Sequence, residues 1–400
     1  MTVVGYACKG ETVERIFDIQ NYGACADGRT LNTSAIQQAV DACHAAGGGR
    51  VYCGPGDYRI GSLMIKSRVD LHLAAGCRLV GSTNHSDYVD VTAPGFRHQS
   101  APEQTSKSLL YAVDAHDFSI TGPGEVNGSG PAFYDTSSIM WGRFYAKPDA
   151  PRPRMLMAYR CRDFRIEDAA FNDSPCWTFW LMQCEGVNIH RIKMRGDQKM
   201  INNDGLDLDM CRNVTVSDSF FKTGDDCIIL RSMRQLYDTE RPCENITVSN
   251  CVLDSWCQGV RVGCPGDGVI RNCTFNNLVI TGPCNGIVFN NPKRYLPEGN
   301  PGSADIRNIL FANVVIDCAN RPVSLDVEEG VALPYLGDVS FSNFRIKSGK
   351  PMTVQGSPET IIRNVSFSNV TVETSGDDAI VCRHCEGIRL SNVQLANRCA

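Results

Sequence analysis

Ile246-Thr247-Val248-Ser249-Asn250-Cys251-Val252-Leu253 decides the fold. Apolar and polar residues alternate over Ile246–Ser249, the pattern of a strand with one buried face. Asn250 permits a left-handed bend, and a second short strand follows. The phrase recurs as FRIEDAAF from Phe164, VTVSDSFF from Val214 and GVIRNCTF from Gly268. It returns as ILFANVVI from Ile309, VSFSNFRI from Val339, VSFSNVTV from Val365 and IRLSNVQL from Ile388, with VNIHRIKM from Val187 a weaker copy. Successive starts are 23, 27, 32, 22, 41, 30, 26 and 23 residues apart. The short steps give the period and the long ones hold insertions. A strand–bend–strand unit of this size cannot bury its apolar face alone. Stacked units, with parallel strands about 4.8 Å apart, bury a continuous core. The expected class is all-β: one parallel β-helix over residues 1–400.

Stacked Asn250, Asn272, Asn313, Asn343, Asn369 and Asn392 are expected to form a ladder of amides along the bends. Asn213, Asn245 and Asn369 fall in glycosylation sequons, but lie within the repeat and read as turn residues. A doubly wound α/β fold needs a helix after each strand, and 22–23 residues leave little room for one. A propeller needs blades of about 40–50 residues. TSAIQQAVDACHAAGGG from Thr33 reads as one amphipathic helix ended by glycines. It is expected to cover the open end of the helix, where a bare strand edge invites aggregation. Residues 14–60 then form the cap and first coils. Residues 131–154 carry aromatics, prolines and arginines without periodicity, and are expected as a loop walling a groove.

The net charge of −5 and the absence of a basic block argue against a nucleic-acid partner. No run approaches the roughly 20 apolar residues of a membrane-spanning helix. The opening MTVVGYACKGETVERIF lacks the features of a signal peptide, so a cytoplasmic location is expected, or a secreted one had a leader been removed. The 20 cysteines are scattered through strand-like runs, as at Cys251, Cys273 and Cys318, and read as small buried hydrophobes in a reducing compartment. Cys382 and Cys385 lack the second pair a zinc site needs.

The chemistry concentrates in Asn202-Asn203-Asp204-Gly205-Leu206-Asp207-Leu208-Asp209 and Gly224-Asp225-Asp226-Cys227. Asp204 and Asp225 are 21 residues apart, about one coil, which places three carboxylates on neighbouring coils. Gly205 and Gly224 would supply bends beside them. Clustered carboxylates repel, so at least one should hold its proton. One protonated carboxyl to act as acid and one ionised to activate water is what glycoside hydrolysis needs. Calcium is the alternative ligand of such a cluster. Asp in this chain also sits at bends, as Asp168 and Asp218 do, and Asp207 and Asp209 read as bend or solvent residues.

NNDGLDL followed 21 residues later by GDDC resembles the signature of glycoside hydrolase family 28, the polygalacturonase family. The resemblance extends over the repeats and the helical cap. It implies a right-handed β-helix that hydrolyses with inversion and without a metal or other cofactor. It also implies that Asp225 protonates the leaving oxygen, that Asp204 and Asp226 hold and deprotonate the attacking water, and that Asn202 orients the site.

The chain departs from that family twice. Gln258 stands where the family has a histidine close to the acid, and glutamine does not titrate. Val288 and Asn290 stand where an arginine–x–lysine pair grips the substrate carboxylate. Arg261 is then the best candidate to meet a carboxylate, since a guanidinium fork matches it. Trp177 and Trp180 are candidate sugar platforms, one of them expected in the core. Lys293 and Arg294 belong to a loop near the groove or to a solvated turn. The leading expectation is an inverting hydrolase of α-glycosidic bonds in pectin-derived or related oligosaccharides. A uronate lyase or epimerase and a non-catalytic carbohydrate-binding β-helix are the alternatives.

Overall fold

The computed structural model describes residues 15–396 except 267, 297 and 376. The reading of the first fourteen residues, on which the location rested, therefore lies outside the described residues. Among the described residues no helix is long and apolar enough to cross a membrane.

Parallel strands stack coil upon coil, as the repeat requires. Val187 pairs with Val214, Val214 with Ile246, Ile309 with Val339 and Val339 with Val365. Inward residues of all coils join one apolar core running from Ile19 to Val372. Within it Phe275, Phe311, Phe341 and Phe367 stack with ring centroids 4.6, 5.2 and 4.9 Å apart. The helix α1, Thr33–Ala45, buries Ile36, Ala39, Val40 and Cys43 over the first coils. No disulfide links the described cysteines, most of which are buried.

The asparagine ladder exists, with one correction. Asn272 is not on the rung assigned to it: it donates to Asn245 at 3.4 Å, and Asn277 donates to Asn250 at 3.1 Å. The repeat copy is therefore CTFNNLVI from Cys273, which pairs with Ile246. Further along, Asn343 donates to Asn313 at 3.0 Å, Asn369 to Asn343 at 3.2 Å and Asn392 to Asn369 at 2.9 Å. Asn343 has φ 58°. Asn343→Ala keeps that strained conformation and loses both amide bonds, so it should cost about 1–2 kcal/mol. A denaturant midpoint equal to wild type would refute this role.

The face that matters is an 11-stranded sheet with one strand per coil. Its central strands are β1 (Phe179–Met182), β2 (Leu206–Asp209), β3 (Ile228–Ser232) and β4 (Gln258–Gly266). β5 (Asn285–Asn291), β6 (Val323–Val327), β7 (Met352–Gln355) and β8 (Ile380–Arg383) continue it. Phe179, Leu206, Ile228, Val260, Ile287 and Val323 share one inward rung. The next residue of each strand points outward: Trp180, Asp207, Ile229, Arg261, Val288 and Ser324. Outward is not the same as exposed. Val91, Phe96, Ala101, Met233, Leu236 and Tyr237 cover Met157, Tyr159, Trp180 and Met182 with a second, smaller core.

Residues 131–154 differ from expectation. Asp135–Met140 and Phe144–Ala146 pair as an antiparallel hairpin.

Candidate active site

Asp204 ends the turn into β2, and Asp225 and Asp226 end the turn into β3. Gly205 N–H donates to the Asp226 carbonyl at 2.8 Å, locking the two turns together. A Cβ on Gly205 would lie 2.4 Å from the Cys227 carbonyl, and one on Gly224 2.3 Å from the Met200 carbonyl. These glycines permit close approach of coils. Both lie at bends of the chain, as expected, though neither has positive φ.

Asp225 is held from several directions. The Asn202 and Asp226 N–H groups donate to its two carboxyl oxygens at 3.2 and 3.1 Å. Asn202 has φ 58°, and the Arg152 guanidinium donates to its side-chain oxygen at 3.0 Å. Thr223 and Ser255 hydroxyls both donate to the Asp225 carbonyl. Burial, and then the neighbouring Asp226, push the Asp225 carboxyl up to about 7. Arg261 and then the nearby Cys257 thiol oppose that rise.

The other carboxylates are tied to buried arginines. Arg261 Nη1 lies 2.9 Å from Asp226 Oδ2. Arg231 lies 2.6 Å from Asp207 and 3.4 Å from Asp204. Burial and then Asp225 raise the Asp204 carboxyl well above its usual range, with Arg231 opposing. Burial lifts Asp207 and Asp209 to about 6. Both are fully buried, Asp209 bonded by the Tyr237 hydroxyl and the Met233 N–H, which corrects their reading as bend or solvent residues. Asp204 Oδ1 and Asp226 Oδ1 are buried without a hydrogen-bond partner among the described residues.

A cavity of about 380 Å³ opens over this cluster. Asp204, Asp225, Asn202, Arg231, Arg261 and Trp177 line it, together with Glu103, Gln235, Arg294 and Tyr295. Asp226 lies fully buried behind them. Trp177 is only 3% exposed, with Arg154 and Arg231 stacked 4.3 and 4.4 Å from its ring. Little of its surface is left to meet a sugar. Trp180 has no exposed surface and packs against Phe96 and Trp177 in the smaller core, so it is no sugar platform. Asn290 lines a neighbouring cavity instead. Lys293 is exposed and lines neither, its N–H bonded to Glu328. Arg294 of the same turn does reach the cavity, contrary to a wholly solvated turn. The 131–154 segment gives no residue to the wall of this cavity; Pro102 and Glu103 form that wall.

Gln258 opens β4, one coil beyond Asp225. Its side-chain oxygen accepts from Asn285 at 3.0 Å. The group beside the acid is Cys257, whose sulfur lies within 4.8 Å of carboxylate oxygens of both Asp225 and Asp226. Among the described residues this is the one group with metal-ligand spacing. The Arg261 charge on Asp226 opposes a cation there, and burial and the two aspartates hold the thiol protonated, well above its usual value.

The glycosyl hydrolases family 28 model matches residues 69–326, which contain every carboxylate of the site. A probable rhamnogalacturonase A of Aspergillus oryzae is 25% identical over 351 residues, 87% of this chain and 64% of the relative. An exo-poly-alpha-D-galacturonosidase of Dickeya chrysanthemi is 25% identical over 438 residues, 90% of this chain and 72% of the relative. The chain thus spans less than two thirds of the length of some curated relatives it matches. The exopolygalacturonase structure from Thermotoga maritima superposes with a TM-score of 0.74 at 21% identity, covering 96% of this chain and 92% of that one. That likeness supports the right-handed β-helix, and the match over the aspartate coils shows that the chain belongs to glycosyl hydrolases family 28.

Proposed function

We propose that the chain is an inverting hydrolase of α-glycosidic bonds in pectin-derived or related oligosaccharides. One observation carries the reading: three carboxyls on adjacent coils differ in environment. Asp225, raised to about 7, keeps a proton to near neutrality and suits the general acid. Asp226, against Arg261, suits a carboxylate that activates water. The unpartnered oxygens of Asp204 and Asp226 are free to accept that water's hydrogens. Asn202 orients Asp225 through its N–H. Arg261 and Arg294 at the cavity suit a uronate carboxylate, in place of the pair missing at Val288 and Asn290.

The smaller core favours action at a chain end. It fills the outer face over β1 and the strand before it, so a polymer has no open path in that direction. The name of the Dickeya chrysanthemi relative agrees with this mode.

Product anomers followed by NMR, across uronic and neutral oligosaccharides, test the proposal. Initial release of the inverted anomer from a chain end is expected. Retained configuration, or binding without release of reducing ends, would overturn it.

Cys257 gives a second test. The thiol beside Asp225 favours its ionised form, so losing it should raise the acid's pKa. Cys257→Ala should move the high-pH limb of kcat upward by about half a unit, what a weak donor is worth. Cys257→Ser should restore the limb. An unmoved limb in the alanine variant would make the thiol a packing residue only.

A further inference from the structure

Arg152 stands between Pro151 and Pro153. The second proline restricts Arg152 to extended backbone, and its side chain runs inward, leaving it only 2% exposed. Burying a guanidinium is costly unless its donors are met. Nη1 donates to the carbonyls of Ile201 at 2.8 Å and Pro175 at 3.0 Å, and Nη2 to the Asn202 side-chain oxygen at 3.0 Å. The Tyr134 hydroxyl, beside Nη1, lies 2.6 Å from the same Ile201 carbonyl. The Glu103 carboxylate is 3.9 Å away and is itself paired with Lys147. Most of the guanidinium's donors thus hold the turn before Asp204 rather than a counter-charge.

The Ile201 carbonyl and the Asn202 N–H belong to one peptide unit, and that unit is planar. Fixing the carbonyl on Arg152 and Tyr134 aims the N–H the opposite way, where it meets Asp225 at 3.2 Å. Asn202 has φ 58°, a conformation that costs an L residue energy and that its surroundings must hold. A cationic donor on the carbonyl also polarises the peptide and strengthens its N–H as a donor. We propose that Arg152 is a positioning residue for the acid Asp225, acting through the Ile201–Asn202 peptide. By this route residues 131–154, which give the cavity no wall, bear on the reaction. The inference rests on the reading of Asp225 as the acid and deepens it.

Kinetics of Arg152→Met and Tyr134→Phe test it, with thermal midpoints and Asp225→Asn alongside. In Arg152→Met kcat should fall by up to about 10²-fold, the effect of misplacing a reacting group, with KM little changed. The peptide N–H favours ionised Asp225, so losing its aim raises the acid's pKa. The high-pH limb of kcat should therefore move upward, by about half a unit. Asp204, Asp226, Arg261 and Cys257, which also face Asp225, are unaltered in this variant. Tyr134→Phe removes a bond to the same carbonyl and no charge, and should move the limb the same way by less. Wild-type kcat in Arg152→Met, or an unmoved limb in both variants whatever their midpoints, would leave Arg152 a structural residue and overturn the proposal. Should Arg152→Met not fold, the limb of Tyr134→Phe decides alone. Turnover in Asp225→Asn would sink the acid reading and this role with it. An inactive Asp225→Asn with unmoved limbs in the other two variants would sink this role only.

Discussion

Asp225→Asn is expected to lower kcat by about 10³-fold, the worth of a positioned general acid. The fold should remain intact, and stability at neutral pH should rise. The folded carboxyl is raised from 3.8 to about 7. Between these values the native state binds more protons than the unfolded one, so stability falls as pH rises through the window. Ionising this group inside the cluster is a cost to the native state that asparagine does not bear. The gain should be on the order of a few kcal/mol at pH 8 and vanish near pH 4. Asparagine still accepts the Asn202 or Asp226 N–H, which preserves the turn. Two measurements decide it: kcat on a cleaved oligosaccharide, and thermal midpoints at both pH values. Near-wild-type turnover would remove Asp225 from the acid role. Lost turnover with a lower midpoint at pH 8 would mean that the residue is structural.

The fold was legible because the repeat is local and its period nearly constant. Its one misreading, at Gly268, has a physical cause. Successive coils carry two bend asparagines five residues apart, as at Asn245 and Asn250, so frames through Asn272 and Asn277 both fit, and both residues adopt positive φ. Pairing with Ile246 selects Cys273. The three aspartates were legible for the same reason, since 21 residues is about one coil. What failed was every inference needing a contact distant in sequence. Alternation is compatible with Asp207, Asp209 and Trp180 on the outward face, although the sequence offers the two aspartates as bend or solvent residues. It gave no sign that residues 88–106 and 233–238 fold over that face and bury it. Glu103 reaches the cavity from a non-periodic loop about a hundred residues before Asp204, with nothing local to mark it. Arg231 was findable: it pairs with Asp209 in register and so shares the outward face with Asp207. Cys257, whose sulfur lies within 4.8 Å of an Asp225 carboxyl oxygen, stands one residue before Gln258, where the motif marks nothing.

Arg231→Met should produce the largest loss of stability in the site. Arg231 is 3% exposed, bridges Asp204 and Asp207, and stacks on Trp177. Methionine keeps much of the volume but leaves two buried carboxylates without their cation. Breaking a buried pair from one side costs about 3–5 kcal/mol, because the remaining charge stays desolvated. The sign of the pH dependence separates this cause from lost packing. With Arg231 present, burial already lifts Asp207 to about 6 and holds Asp204 well above its usual range. Without it both carboxyls rise further and take up protons as the pH falls. The penalty should therefore be largest at pH 8 and shrink by pH 5, where the uncompensated charge is neutralised. Arg231→Lys keeps a charge but loses the fork and the ring stack, and should fall between wild type and Arg231→Met. Thermal midpoints of the three proteins at pH 5 and pH 8 make the comparison. An equal penalty at both pH values would assign Arg231 a packing role alone. Activity should fall as well, because an Asp204 that holds its proton cannot help to deprotonate water. That link from the buried arginine through Asp204 to the rate makes kcat fall more steeply toward low pH in Arg231→Met than in the wild type.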